Sequence, residues 1–380
     1  MVVAVFIITA MKELLKKLVR AETTAAKGEL AAAKIIVAEF SRSGIKAKID
    51  NWDKTRANVI ARVKSAGKKG ALLFVCHLDV VGAGEEKWKT PPFGGVERGG
   101  RIYGRGSADM KGGIAAAVTA IRQIVKAGVK LQGDIIFLGA AGEETDSCGT
   151  KRFIHNRGWM QNIAGVVIPE PTDFAVVTAH RGMLWLEATT KGKAAHSSTP
   201  QLGINAIGLM QLVLAELKRY KIPFKHHPDL RGCSMSINTI AGGKALNVVP
   251  DRCSIGIDFR TLPSQNHRDI IRDIEKIFMK LKSKTPQFCA EVSIVREVGA
   301  LETDLRSEFV KDFCDAVGTK KTKAVGFTTD APYFASPDVP VVIFGPGEPE
   351  VCHKSNEYIE ISAVEKAVKY YKNIILKFLG

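Results

Sequence analysis

The stretch Tyr103-Gly-Arg-Gly-Ser-Ala-Asp-Met-Lys-Gly-Gly113 decides how the rest of the chain is read. It sets one acidic side chain, Asp109, in a glycine-crowded turn between a strand-like run and the apolar helix pattern of residues 114–125. Glycines on either side permit positive φ and close backbone approach, so the carboxylate can be held in a tight geometry that a surface aspartate does not need. Such rigidity suits a metal ligand. Glycine-rich turns before helices also cradle phosphates, but this one lacks Gly-x-Gly-x-x-Gly and the Walker lysine and hydroxyl pair, so both phosphate readings are poor.

Working outward, the apolar run 71–76 ends in His77-Leu-Asp79, and the run 135–140 ends in Gly142-Glu-Glu144. Residues 166–168 lead to Pro169-Glu170-Pro171, and residues 341–344 lead through Gly345-Pro-Gly347 to His353. Continuous apolar runs of this length are the pattern of central strands covered on both faces. Alternating with helices at 27–40, 114–125, 305–316 and 363–378, they predict an α/β fold with an open mixed sheet, whose ligands sit beyond the carboxyl ends of the strands. Short strands near 45–49 and 58–63 follow the first of these helices. At 380 residues, two domains are expected. The texture changes within residues 182–297, where strands at 184–191, 234–240, 254–260 and 290–295 and helices at 205–220 and 265–281 make a β-α-β-β-α-β unit. This predicts an inserted α+β, ferredoxin-like domain at 182–297, with residues 1–181 and 298–380 forming the two parts of the catalytic domain.

The chemistry lies at the strand ends. His77 with Asp79 two positions on reads as a metal-binding imidazole with a carboxylate to fix its tautomer. Glu143 and Glu144 are adjacent carboxylates closing an otherwise apolar strand, where burying two like charges is expensive without a cation. Such a pair can divide the work, one residue binding metal and the other taking a proton from water as general base. His77, Asp109, Glu143, Glu144, Glu170 and His353 supply two imidazoles and four carboxylates, of which five as ligands suit two borderline ions such as Zn²⁺, with Asp109 bridging. Cys76 and Cys352 each precede a candidate ligand. Side chains alternate along extended chain, so both thiols point away from their neighbouring histidines and read as small apolar fillers.

Composition bounds the rest. A formal charge of +16 could attract nucleic acid, but the lysines are scattered and aromatic-interleaved basic stretches are missing, so no nucleic-acid partner is expected. Seven cysteines without Cys-x-x-Cys spacing read as reduced and intracellular, and the chain is expected in the cytoplasm. Residues 2–10 are apolar but too short to span a bilayer, so no membrane partner is expected; Met1 or Met11 is the start. His155, His180, His226 and His227 read as surface or packing residues.

The whole set resembles the cocatalytic zinc hydrolases that include acetylornithine deacetylase, succinyl-diaminopimelate desuccinylase, aminoacylase-1 and a bacterial glutamate carboxypeptidase. The resemblance spans nearly the whole chain: His77-Leu-Asp-Val-Val81, the Asp109 turn, Glu143-Glu144, Glu170-Pro-Thr172, Ala195-His-Ser-Ser-Thr-Pro200, Asn247-Val-Val-Pro250, Asp258-Phe-Arg260, Thr329-Asp-Ala331 and His353. It implies two Zn²⁺ per subunit, replaceable by Co²⁺, with His77, Asp109 and Glu170 on one ion and Asp109, Glu144 and His353 on the other. It further implies Glu143 as general base, Asp79 as the partner of His77, and residues 182–297 as a lid and dimerisation domain. There His196, Asn247 and Arg260 match residues that meet the substrate, and His196 reaches the active site of the second subunit of a homodimer. The implied substrate is a small N-acyl amino acid, or a short peptide, with a free carboxylate. The implied activity is amide hydrolysis by a deacylase, or alternatively by a carboxypeptidase or dipeptidase. Pro169 departs from the pattern, standing where relatives often carry glycine.

Overall fold

The computed structural model describes residues 2–156 and 158–380. Met1, one of the two expected starts, lies outside the described residues. The chain divides into two compact units. The first comprises Met1–Thr178, Thr303–Lys323 and Thr329–Gly380; the second comprises Ala179–Glu302 with Ala324–Thr328. The second is wider at both ends than residues 182–297 and recruits a short return segment, which carries no composition signal of its own.

The first unit opens with α1 (Val2–Arg20) and α2 (Leu30–Ser41), then β1 (Ala47–Asn51), β2 (Ala57–Val63) and β3 (Ala71–His77). Next come β4 (Val96–Arg98), β5 (Arg101–Tyr103), α3 (Gly112–Lys126), β6 (Ile135–Ala140), α4 (Cys148–His155), β7 (Ile163–Ile168) and β8 (Val176–His180). In the large sheet the strands lie in the order β1, β2, β6, β3, β7, then β17 (Val341–Ile343) and β8. β3 runs parallel to both β6 and β7, and β7 runs parallel to β17, whereas β2 is antiparallel to β6. The sheet is therefore mixed, with its parallel strands at the centre. Every residue of β3 and β6 is buried, which is why they read as unbroken apolar runs.

α1 was not expected as a helix. Its second half buries Met11, Leu14, Leu15 and Leu18, the i, i+3, i+4, i+7 spacing of one helix face, so the apolar start continues into an amphipathic core helix. Among the described residues no helix is long and apolar enough to cross a membrane. Leu14, Phe40, Phe74, Ile114, Phe137 and Tyr371 belong to one hydrophobic core that the helices and the sheet close.

The second unit contains β9 (Gly182–Lys191), β10 (Ala195–His196), α5 (Ala206–Arg219), β11 (Ser234–Gly242), β12 (Val248–Val249), β13 (Arg252–Thr261), α6 (His267–Lys284), β14 (Ala290–Val298) and β15 (Leu301–Glu302). Its sheet order is β11, β13, β9, β14, all antiparallel. Leu186, Ile257 and Phe259 pack there against Val213 of α5 and Ile274 of α6, the core of a β-α-β-β-α-β unit. β10 and β12 form a separate two-stranded ribbon. The chain then returns through α7 (Glu308–Val317), β16 (Thr322–Val325), β17, β18 (Tyr358–Glu360) and α8 (Ile361–Leu379). β18 pairs with β5 and β5 with β4, a small sheet that the sequence reading did not contain.

Candidate metal centre

His77 is the last residue of β3, Glu143 and Glu144 follow β6, Glu170 follows β7, and His353 lies between β17 and β18. The parallel register, with His77 opposite Ala140, brings the carboxyl ends of β3 and β6 to the same edge of the sheet. Asp109 arrives from the glycine turn, where Gly104 and Gly106 take positive φ values of 150° and 82°. Gly113 has a different task. A Cβ there would lie 2.1 Å from the carbonyl oxygen of Pro169, so glycine is what lets the start of α3 meet the segment that carries Glu170. The peptide bond between Asp109 and Met110 is cis.

Two groups of three potential ligand atoms result, each within 4.8 Å of one another: His77, Asp109 and Glu170, and Asp109, Glu144 and His353. The Asp109 carboxylate faces both ways. Its Oδ1 lies 3.0 Å from His77 Nε2, and its Oδ2 lies 3.2 Å from His353 Nε2. His77 Nε2 is also 3.6 Å from Glu170, and His353 Nε2 is 3.0 Å from Glu144. His77 Nδ1 faces the main-chain carbonyl of Asp79 at 2.9 Å. A carbonyl only accepts, so Nδ1 carries a proton in either charge state of the ring, and Nε2, which faces Asp109, is the atom that could hold a metal.

Asp79 therefore acts differently from the expectation drawn from its spacing. Its carboxylate oxygen is 3.8 Å from His77 Nδ1, too far for a hydrogen bond. It instead accepts the main-chain N–H groups of Gly142 at 2.9 Å, Glu143 at 3.1 Å and Glu144 at 2.9 Å. Asp79 thus orients the imidazole through its backbone and the carboxylate doublet through its side chain.

The electrostatics fit a site built around cations. Burial pushes the Glu170 and Glu143 carboxyls well above the usual carboxylate range, with neighbouring carboxylates adding to it and His77 opposing. Asp109 is held low despite its burial, because both imidazoles donate to it. Burial pulls the His77 imidazole down, but Glu170 and Asp109 outweigh it and hold the ring well above its ordinary value. His353 is pushed up to about 10 by its hydrogen bonds to Asp109 and then Glu144. In the protein alone, protons on the histidines compensate the crowded carboxylates; divalent ions would take over that charge. The nitrogen and carboxylate donors, without thiolate, suit borderline ions. Cys76 is fully buried, with its thiol pushed up by burial, and neither group includes it or Cys352.

Glu143 is in neither group of three, although the charges of His77, Asp330, Glu144 and Glu170 act on it. His353 holds a left-handed backbone with φ of 62°, unusual for a side-chain-bearing residue. In the second unit, His196 pairs with Val248, and Ser197 N–H donates to the carbonyl of Asn247 at 3.0 Å, so Asn247 stands just before β12, at the end of the ribbon where His196 lies. Arg260 is braced by Asp258, at 3.0 Å to Oδ1 and 3.1 Å to Oδ2. His155 and His226 are exposed and His180 is fully buried, as their surface or packing reading requires.

One residue of the centre escaped the sequence reading. Glu357, buried in the loop before β18, hydrogen-bonds the turn that carries Asp109. Its only sequence signal is an acidic residue four positions beyond His353 in a segment otherwise read as loop.

Comparison with known families matches residues 73–377 to "Peptidase family M20/M25/M40". A probable succinyl-diaminopimelate desuccinylase of Staphylococcus aureus (strain MSSA476) is 30% identical over 380 residues, covering 90% of this chain and 90% of that one. Acetylornithine deacetylase of Buchnera aphidicola subsp. Schizaphis graminum is 29% identical over 315 residues, covering 82% and 81%. Among solved structures, an M20 family metallo-carboxypeptidase, Sso-CP2 from Sulfolobus solfataricus, superposes with a TM-score of 0.79 at 20% identity, over 98% of both chains.

Proposed function

The chain belongs to peptidase family M20/M25/M40, and from that premise we propose that it is a metal-dependent hydrolase cleaving the amide bond of an N-acyl amino acid. The observation that carries this reading is a single carboxylate, Asp109, shared by two ligand triads with Glu143 beside them in neither. We infer two Zn²⁺ ions per subunit, one with His77, Asp109 and Glu170 and one with Asp109, Glu144 and His353. When bound, such a pair polarises a carbonyl and lowers the pKa of water. Glu143 takes the proton from the attacking water and delivers it to the leaving amine nitrogen. Its raised pKa is in the direction that a group exchanging protons near neutral pH needs. Asp79 fixes the Glu143 main chain and, through its carbonyl, the His77 tautomer.

His196, Asn247 and Arg260 are assigned to the substrate. Ser198 N–H donates to His196 Nδ1 at 3.2 Å, so a neutral ring carries its proton on Nε2, the form that donates to a developing oxyanion. Arg260, whose planar guanidinium is oriented by Asp258, supplies a fork suited to the free carboxylate of the substrate. The working unit is inferred to be a cytoplasmic homodimer in which His196 serves the site of the second subunit. Two features support self-association: β11 is an edge strand with Ile240 61% exposed, and Leu246 beside Asn247 is fully exposed.

A panel of N-succinyl, N-acetyl and N-formyl amino acids and dipeptides, assayed with added Zn²⁺, tests the reading. Turnover of N-acyl amino acids with a free carboxylate is expected to exceed that of their amides and of dipeptides. Preference for dipeptides would transfer the activity to the peptidases of the same family. Mixing His196→Ala with Glu143→Ala protein restores part of the activity if the sites are shared between subunits; no rescue after proven subunit exchange refutes that sharing.

A further inference from the structure

We propose that Glu357 is the positioning residue of the metal centre, setting where the shared ligand Asp109 stands relative to His353. The inference rests on the two-metal reading above. Both oxygens of the Glu357 carboxylate are engaged. Oε2 accepts from Arg105 Nη1 at 2.7 Å and from Gly106 N–H at 3.0 Å, and Oε1 accepts from Ala108 N–H at 2.9 Å and from Asp109 N–H at 3.1 Å. In the opposite direction, Gly104 N–H donates to the Glu357 main-chain carbonyl at 2.9 Å. One glutamate therefore fixes the turn that carries the shared ligand at its beginning, middle and end.

The arrangement demands an ionised carboxylate. Four donors converge on it and none of its contacts accepts, so a neutral amide or a protonated acid would turn its own hydrogen toward an N–H group. Its side chain is fully buried; burial and then the Asp109 carboxylate push its pKa up, and the four donors, with the Arg105 charge, itself 2% exposed, oppose them. Arg105 is held in turn by the carbonyls of Gly82 at 3.1 Å and Lys354 at 3.2 Å and lies over the Trp88 ring. Lys354 follows His353 directly, so the guanidinium ties the histidine segment to the same carboxylate. Pairing of β18 with β5, Tyr358 opposite Tyr103, places Glu357 beside Gly104 before any side chain is considered. The distance between Asp109 and His353 is thus written into one carboxylate that belongs to neither group of three potential ligands.

Glu357→Gln keeps the volume and one acceptor but removes the charge and sets an NH₂ group against backbone donors. Zn²⁺ affinity for the first and second equivalents is to be measured by competition with a chromophoric chelator, with the d–d spectrum of the Co²⁺ form and a thermal melt of the metal-free protein. The expected result is a second-equivalent affinity about 10-fold to 100-fold weaker and an altered Co²⁺ spectrum. Among assays of the loaded enzyme, kcat falls while KM holds. A lowered melting temperature with wild-type affinities and spectrum would make Glu357 merely structural and overturn the proposal. If Glu357→Gln does not fold, Glu357→Asp decides, since it retains the charge and shortens the reach: an intermediate loss of affinity supports the role, and wild-type affinity refutes it. Wild-type protein that binds fewer than two equivalents would instead bring down the two-metal reading and this inference with it.

Discussion

The two candidate ligand triads share Asp109 yet occupy unlike surroundings. In the first, His77 and Glu170 are buried behind β3 and β7; in the second, the His353 side chain is 51% exposed. The buried triad is held by the sheet itself, because two of its members extend directly from central parallel strands. The open triad depends on a loop between β17 and β18 and on the tie from Glu357. Rigidity and desolvation therefore favour tight binding at the first position, while access favours exchange at the second. The shared carboxylate couples them.

The largest effect is expected at that coupling. Asp109→Ala should lose both metal equivalents, by elemental analysis, and its activity should drop to that of chelator-treated wild type. Retention of one equivalent would mean that the triads stand independently. Next, Glu143→Ala should keep both equivalents while kcat falls by about 10²–10⁴; metal loss equal to that of Glu144→Ala would reassign the doublet. The comparison itself is broken or sharpened by His353→Ala. This variant should release one equivalent and keep a second that leaves slowly in chelator, whereas His77→Ala should lose the slow one. Indistinguishable release from the two variants would erase the difference between buried and open triads.

The smallest effect lies behind the buried side. Glu29 is fully buried, accepts from Arg56 at 3.0 Å, and is pushed up to about 7 by burial and then by Asp79. Its folded pKa exceeds the ordinary value of 4.5, so the folded state binds the extra proton between these two values. That contribution to stability is complete below the unfolded pKa and is lost as pH rises through about 7. Glu29→Gln does not titrate, so its melting temperature should gain on wild type between about pH 5 and pH 8. A constant difference across that window would show that Glu29 keeps an ordinary pKa.

Much of this was legible in the chain because the signals are local. Buried parallel strands write themselves as apolar runs, and the residues at their carboxyl ends are the candidate ligands and base: His77 after 71–76, Glu143 as base and Glu144 as ligand after 135–140, and Glu170 after 166–168. The glycine turn marked Asp109 by the same logic. The β-α-β-β-α-β order of the second unit followed from periodicity alone.

Tertiary structure decided what local signals cannot carry. Spacing suggested that Asp79 serves His77 with its carboxylate; the packing of β3 beside β6 gives that carboxylate to the Gly142 to Glu144 backbone instead. The ribbon that joins His196 to Asn247 spans two residues on each side, too short to leave an alternating pattern. Glu357 and Asp109 are 248 residues apart, and their contact exists only because β18 closes on β5. A sequence fixes which side chains stand at strand ends, through periodicity over a few residues. Which distant carboxylate accepts which N–H is set by the closure of long loops and the register of paired strands, and the energy that selects them appears only once the core has formed.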